Sequence, residues 1–373
     1  MKELRDIIKA YDEAVLLGKR TLLATVVQVI GSSYRRPGAR MLVTEDGVIT
    51  GAISGGCLEG DALRRAKHAM NLQQNKLVVY DTLHETEHNI GIQLGCNGIV
   101  YILFEPINPE EAENPIQQII KVANSREEAV LVTRFSRDKN ASQTGTNLAV
   151  LATERQSFTH IDNVTELDET FLNKKSVVNS NGNQSTLFQF IEPSIQLLIA
   201  GAGNDVQPLT EMTDLLGWKT IVADGRPAYA TQQRFPKAGL VCLTKPSGIL
   251  SATELDEYSA VVIMTHNFNY DLQVLEQLLE SDCRWIGILG PARKLQRMLD
   301  ALSDKGLEIN EDLLNKLHGP VGLDIGAETP EEIALSIVAE IKAVFSKRSG
   351  TSLKNRSSSI HERTMPKQLL QHD

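Results

Sequence analysis

Cys57, in the stretch ISGGCLEGD (residues 53–61), follows two glycines and precedes a run patterned as a helix. A thiol so placed can be a nucleophile, a metal ligand or a small apolar filler. The start of a helix carries the positive end of its dipole, which lowers a thiol pKa and favours thiolate. Gly55 and Gly56 can expose consecutive amides as a nest for an anion. One hairpin upstream, GSSYRRPGARM (31–41) carries Arg35, Arg36 and Arg40 among glycines and serines, the combination that phosphate recognition uses. Cys96, in QLGCNG, lies in a second glycine-rich turn of the same zone. Two thiols, a nest and three arginines suggest an anionic ligand that bears sulfur or a metal. The plain alternatives are that both cysteines are buried, as free Cys usually is, and that the arginines line a solvated loop.

A second constellation lies in the C-terminal half. GAGNDV (201–206) sits between a predicted strand and a predicted helix, and Asp224 closes the next strand. Gly201 permits a tight turn and Gly203 lets backbone approach a pyrophosphate, so this context exceeds a lone glycine pattern. Two departures weaken a dinucleotide reading. Val206 replaces the third glycine, and its side chain is expected to push the helix off the strand. Asn204 and Asp205 stand where amides would meet phosphate, and an aspartate there repels anions and can cap the amides itself. The crevice at the carboxyl ends of such strands would gather Asp224, Arg226, His266, Asn267, Arg293, Lys294 and Asp324. His266 at a strand end is a candidate proton donor; simple helix capping by the His266-Asn267 pair is the competing reading. HETEH (84–88) matches H-E-x-x-H, but Gly91 follows closely and no apolar helical face supports it, so it reads as a solvated acidic loop.

The elements that must position these residues follow from periodicity. Leu4, Ile7, Ile8, Tyr11 and Val15 mark an amphipathic N-terminal helix rather than a signal peptide. TLLATVVQVI is a strand, and MLVTEDGVITGAIS is a hairpin turning at Glu45-Asp46-Gly47. A helix with Ala62, Leu63, Ala66, Ala69 and Met70 on one face follows, then the strands VVYDTL and GIVYILFEP. The middle of the chain holds the strands AVLVTRF and TNLAVLA and the turn NSNGNQS. From Ile195, strands and helices alternate, the mark of a doubly wound parallel sheet. DVQPLTEMTDLLG (205–217) is a helix that ends at Gly217, and Thr329-Pro330-Glu331-Glu332 forms a capping box. The expected organisation is a small mixed α/β domain (1–110), a connecting β segment (111–194), a Rossmann-like α/β domain (195–345) and a polar, mobile tail (346–373).

Composition sets outer bounds. The net charge of −9 argues against a nucleic-acid partner. No apolar run approaches the ~18 residues of a membrane span. The four cysteines, Cys57, Cys96, Cys242 and Cys283, contain no C-x-x-C pair, which excludes a zinc knuckle and fits reduced thiols in the cytoplasm.

With these residues assembled, the sequence resembles the XdhC/CoxI family, accessory factors for molybdenum hydroxylases such as xanthine dehydrogenase. The resemblance rests on GSSYRRPGARM, GAISGGCLEGD and LGCNG in the first half. In the second half it rests on LLIAGAGNDVQPL, VADGRPAYATQQRFPKA, THNFNYDLQVLEQLL, WIGILGPARK and GPVGLDIGAETPEEIA. It implies binding of the molybdenum cofactor as cargo, help in exchanging a terminal oxo ligand for sulfido with a cysteine desulfurase, and transfer to the apo-hydroxylase. It also implies a homodimer. On that reading the arginine loop and nest hold the molybdopterin phosphate. Cys57 or Cys96 approaches molybdenum or relays sulfur, with Cys57 the candidate metal ligand. Asn204 stands where relatives often carry histidine, and Asn97 where a glycine is common. Two other readings compete: an NAD(P)-dependent oxidoreductase with His266 as proton donor, and a scaffold whose crevice is vestigial.

Overall fold

The structure, a computed structural model, describes residues 1–81, 98–138, 140–158 and 164–357. Cys96, HETEH and the last part of the polar tail lie outside the described residues. Two compact units form, one of residues 3–193 and one beginning at Ser194.

The first unit opens with α1 (Lys2–Leu16), which buries Leu4, Ile7, Tyr11 and Ala14. Val15, expected on that face, is 41% exposed: the stripe repeats at steps of three and four, and Ala14 completes it. β1 (Thr21–Gly31), β2 (Arg40–Thr44), β3 (Ile49–Gly51), β4 (Lys76–Asp81) and β5 (Gly98–Ile107) form an antiparallel sheet in the order β3-β2-β1-β5-β4. The predicted hairpin is β2–β3, with Met41 opposite Gly51 and Val43 opposite Ile49. Alternation along β1 sends Leu22, Ala24 and Val26 to a core shared with Ala62, Ala66, Ala69 and Met70 of α2 (Glu59–Leu72). Leu23 faces the other way, toward α1 and α3 (Pro115–Asn124).

The middle of the chain builds a second antiparallel sheet from β6 (Ala129–Ser136), β7 (Gly145–Leu151), β8 (Val177–Asn181) and β9 (Gln184–Ile191), in the order β7-β6-β9-β8. Its Val130, Val132 and Phe188 are covered by Leu167 and Phe171 of α4 (Val164–Asn173). Val27, Leu77 and Leu103 of the first sheet pack with Phe135 and Leu187 of the second.

The second unit contains β10 (Gln196–Ala200), α5 (Val206–Leu215), β11 (Lys219–Asp224), β12 (Leu240–Leu243), β13 (Ser259–Ile263), α6 (Phe268–Leu278), β14 (Trp285–Ile288), α7 (Ala292–Asp304), α8 (Glu311–Lys316), β15 (Leu317–His318) and α9 (Pro330–Phe345). Its strands are parallel in the order β12-β11-β10-β13-β14-β15, the Rossmann arrangement. Leu197 and Ile199 of β10 join the core under α5 and α9, whereas Leu198 and Ala200 join the core under α6 and α7. Burial on both faces explains the continuous apolar runs of these strands. Val206 does not push α5 away from the sheet. It is fully buried among Ala202, Leu209 and Ile199, so the branched side chain fills the space that a third glycine would leave. The capping box at Thr329 forms as the motif predicts. Among the described residues no helix is long and apolar enough to cross a membrane.

Candidate functional site

The arginine loop and the Cys57 loop meet within the first unit. A Cβ on Gly55 would lie 3.3 Å from the Tyr34 ring, so the ring rests on the glycine backbone. A side chain at 55 would make the exposed ring shift by a few tenths of an ångström. Tyr34 itself is 73% exposed. Ser54 organises the turn beneath it. Its hydroxyl accepts from Gly56 N (3.2 Å) and Leu58 N (3.1 Å) and donates to Glu59, whose carboxylate also accepts from Ser54 N at 2.9 Å. The amide of Gly56 is therefore already occupied by Ser54, and the expected open nest is partly filled from within. Glu59 closes the start of α2, and Asp61 pairs with Arg64 and Arg65.

Cys57 is exposed, with its sulfur 3.7 Å from the Ser54 hydroxyl oxygen. That exposure removes the buried-filler reading for this thiol. Cys283 is the filler instead: it is fully buried, and loss of solvation pushes its thiol up to about 12. Among the described residues no three His, Cys, Asp or Glu side chains cluster to hold a metal on their own. A metal at Cys57 would need most of its ligands from elsewhere.

The three arginines separate by role. Arg36 is exposed and its side chain pairs with no described residue. Arg35 is half-buried and ion-paired with Glu3 of α1. Arg40 is completely buried; its Nη1 donates to Gly38 O (2.9 Å) and to Gln189 Oε1 (2.5 Å). Burial lowers its pKa to about 10, against the pull of Glu105 and Glu3, so it stays charged at neutral pH. Arg40 thus braces the inside of the first unit and is no surface phosphate ligand. The sequence could not reveal this, because Arg40 begins β2 with its side chain on the face that Gln189 of β9 covers.

In the second unit, the crevice residues converge only in part. Gly201 takes φ +126°, and a Cβ there would lie 2.5 Å from Met264 O, so the turn after β10 requires glycine. Asp205 does not cap α5 with its side chain. Its carboxylate folds back over Gly203 and reaches His266 Nε2 at 3.0 Å. His266 holds a left-handed φ of +60°, and Asn267, not His266, caps α6 through Tyr270 N at 3.1 Å. Arg293 and Asp324 are exposed and join neither group, whereas Lys294 turns inward to a 2.6 Å ion pair with fully buried Asp271.

Asp224 is buried, and both its oxygens are taken: Ala202 N (2.8 Å) and Arg226 Nη2 (2.6 Å) on one, Arg226 N (2.8 Å) and Nε (2.9 Å) on the other. Burial alone would raise this carboxyl, but the Arg226 hydrogen bonds outweigh it and hold the pKa below the ordinary range. A depressed folded-state pKa contributes stability that is present above the unfolded value, about 3.9, and is lost as pH falls through the folded one. Asp224→Asn should therefore flatten the acid limb of a melting-temperature profile below about pH 4. An unchanged acid limb would refute that linkage.

Comparison with known proteins bears on both units. Residues 15–81 match the model of the XdhC and CoxI family, and residues 197–341 match that of the XdhC Rossmann domain. A Bacillus subtilis protein described as a probable xanthine dehydrogenase subunit is 32% identical over 324 residues, which cover 87% of this chain and 92% of that one. The chain belongs to the XdhC/CoxI family. The Escherichia coli molybdenum cofactor insertion chaperone PaoD is 25% identical over 91% of this chain and 88% of its own. A crystal structure of a xanthine dehydrogenase from Bacillus halodurans superposes with a TM-score of 0.71 at 30% identity, covering 93% of this chain and 98% of that one. The XdhC/CoxI motifs 31–41 and 53–61 are thus the two loops joined through Tyr34 and Gly55. The XdhC Rossmann motifs 201–206 and 224–238 are joined through Arg234, which donates to Ala202 O (2.7 Å) and Asn204 Oδ1 (2.8 Å). Tyr34, Ser54, Glu105 and Arg234 escaped the sequence reading, because each acts on a partner distant in the chain or through a backbone turn.

Proposed function

We propose that this XdhC/CoxI chain binds the molybdenum cofactor as cargo and delivers it to the apo-form of a xanthine dehydrogenase-type molybdenum hydroxylase. The observation that carries the reading is the near full-length likeness to a molybdenum cofactor insertion chaperone. The first unit supports it chemically. Cys57 offers an exposed sulfur, Arg36 a cation with no described partner for the pterin phosphate, and Tyr34 an exposed ring over Gly55, all in the same pair of loops. Thiolate suits a soft metal centre and guanidinium suits phosphate. In the finer reading, a cysteine desulfurase supplies persulfide sulfur that a thiol reductant releases as sulfide, the terminal oxo ligand that it replaces leaves as water while the cofactor is held, the carrier works as a homodimer, and Cys57 or Cys96 touches molybdenum or sulfur.

The test is purification from a molybdenum-replete host, followed by molybdenum analysis and fluorescence of the released pterin. The wild-type chain should carry both. Cys57→Ala and Arg36→Ala should each lower retained pterin and hydroxylase activation by about tenfold, the equivalent of ~1.4 kcal/mol of binding. Wild-type protein free of pterin would sink the proposal. Undiminished loading in both variants would move the cofactor away from these loops.

A further inference from the structure

In a Rossmann domain that binds a dinucleotide, the pyrophosphate lies on the first strand–helix turn, and the acid ending the second strand takes the ribose hydroxyls. Here the chain itself occupies each of those places. The Asp205 carboxylate lies where a side chain on Gly203 would begin, over the glycine that would admit the pyrophosphate. His266, left-handed at φ +60°, holds that carboxylate from the far side of the strand-order switch between β10 and β13. The Asp224 oxygens are saturated by Ala202 and Arg226. Past β11, the Tyr229 ring is flanked by the guanidiniums of Arg226 (4.1 Å) and Arg234 (4.8 Å), and Arg234 is in turn bonded to the Gly201–Asn204 turn.

We propose that Asp205, held by His266, is a specificity determinant that plugs the pyrophosphate seat and excludes dinucleotides from this Rossmann unit. The physics is like-charge exclusion. A phosphate approaching Gly203 meets a carboxylate that cannot swing away without giving up its contact with His266. At the pyrophosphate seat itself, Gly201, Gly203 and the strand order fit a dinucleotide turn, and Asp205 is the like charge that stands there. This inference does not depend on the cargo that the first unit carries.

Calorimetric titration of the full chain with NADH and with ADP-ribose tests it. Wild type should bind neither measurably at micromolar concentrations. Asp205→Ala and Asp205→Asn should both gain affinity of at least about tenfold, because removing a like charge from a phosphate seat is worth that much. Asp205→Asn keeps the volume and the contact with His266, so it separates charge from space and remains decisive if the alanine variant does not fold. Micromolar binding by wild type would overturn the proposal, as would an Asp205→Asn variant with native circular dichroism and no gain.

Discussion

Replacing Glu105 by leucine should destabilise the first unit by about 1–3 kcal/mol, because it leaves the buried Thr146 amide without its acceptor and removes one of the two carboxylates whose field favours the buried Arg40 charge. Glu105 is 1% exposed and accepts from Thr146 N (2.5 Å), Thr146 Oγ1 (3.1 Å) and Thr25 Oγ1 (3.5 Å). Burial raises its pKa, against the pull of those donors and of Arg40. The two partners differ in how they tolerate loss of the other. An arginine at about 10 cannot shed its charge at neutral pH, whereas an isolated buried carboxyl can take up a proton. Arg40→Met should therefore cost clearly less than Glu105→Leu, and the double variant should recover much of the loss. The pH dependence supplies a second check. A raised folded-state pKa gives stability that is full below the unfolded value, about 4.3, and is lost as pH rises through the folded value. Arg40→Met removes a cation that lowers Glu105, so its stability should fall more steeply with rising pH than that of wild type. Urea unfolding across pH measures both effects; equal losses for the two single variants would refute the asymmetry.

Lys294→Met should destabilise the second unit by about 3–5 kcal/mol for a related reason. Asp271 is fully buried within α6, with the Thr265 hydroxyl on one oxygen and Lys294 Nζ 2.6 Å from the other. Lys294 also donates to Leu289 O at 2.8 Å, tying the start of α7 to the end of β14. Methionine keeps most of the stem volume and removes only the charge, so cavity formation contributes little. The neighbouring Arg293→Met, on an exposed side chain, should shift stability by less than about 0.5 kcal/mol. Similar unfolding midpoints for Lys294→Met and Arg293→Met would show that the buried pair contributes nothing. Adjacent basic residues in GPARK thus have opposite roles that their spacing does not distinguish.

Much of the fold was legible in the order and type of the residues. The alternation of apolar runs and helices after Ile195 specified a parallel sheet, because strands buried on both faces leave continuous apolar runs that periodicity exposes. The hairpin at Glu45-Asp46-Gly47, the capping box at Thr329 and the end of α5 at Gly217 were legible for local reasons: turn and cap chemistry lies within a few residues. Val206 and Val15 misled for opposite reasons. Val206 met a space that only the packed helix shows, and Val15 lay just beyond a stripe that Ala14 completed.

The sequence by itself determined the family, the Rossmann class of the second unit and the unusual residue content of the Cys57 and arginine loops. Each of these is written in short contiguous motifs whose backbone needs are local. Only the tertiary structure decided which of those residues stay exposed and which are spent inside the fold. It sent Arg40 inward to the Glu105 and Gln189 layer, left Arg36 outside, and set Tyr34 on Gly55 beside an exposed Cys57. In the second unit it laid Asp205 over Gly203 and joined it to His266, 61 residues away. A charged side chain is committed by whichever partner the fold brings to it, and that partner is distant in the sequence.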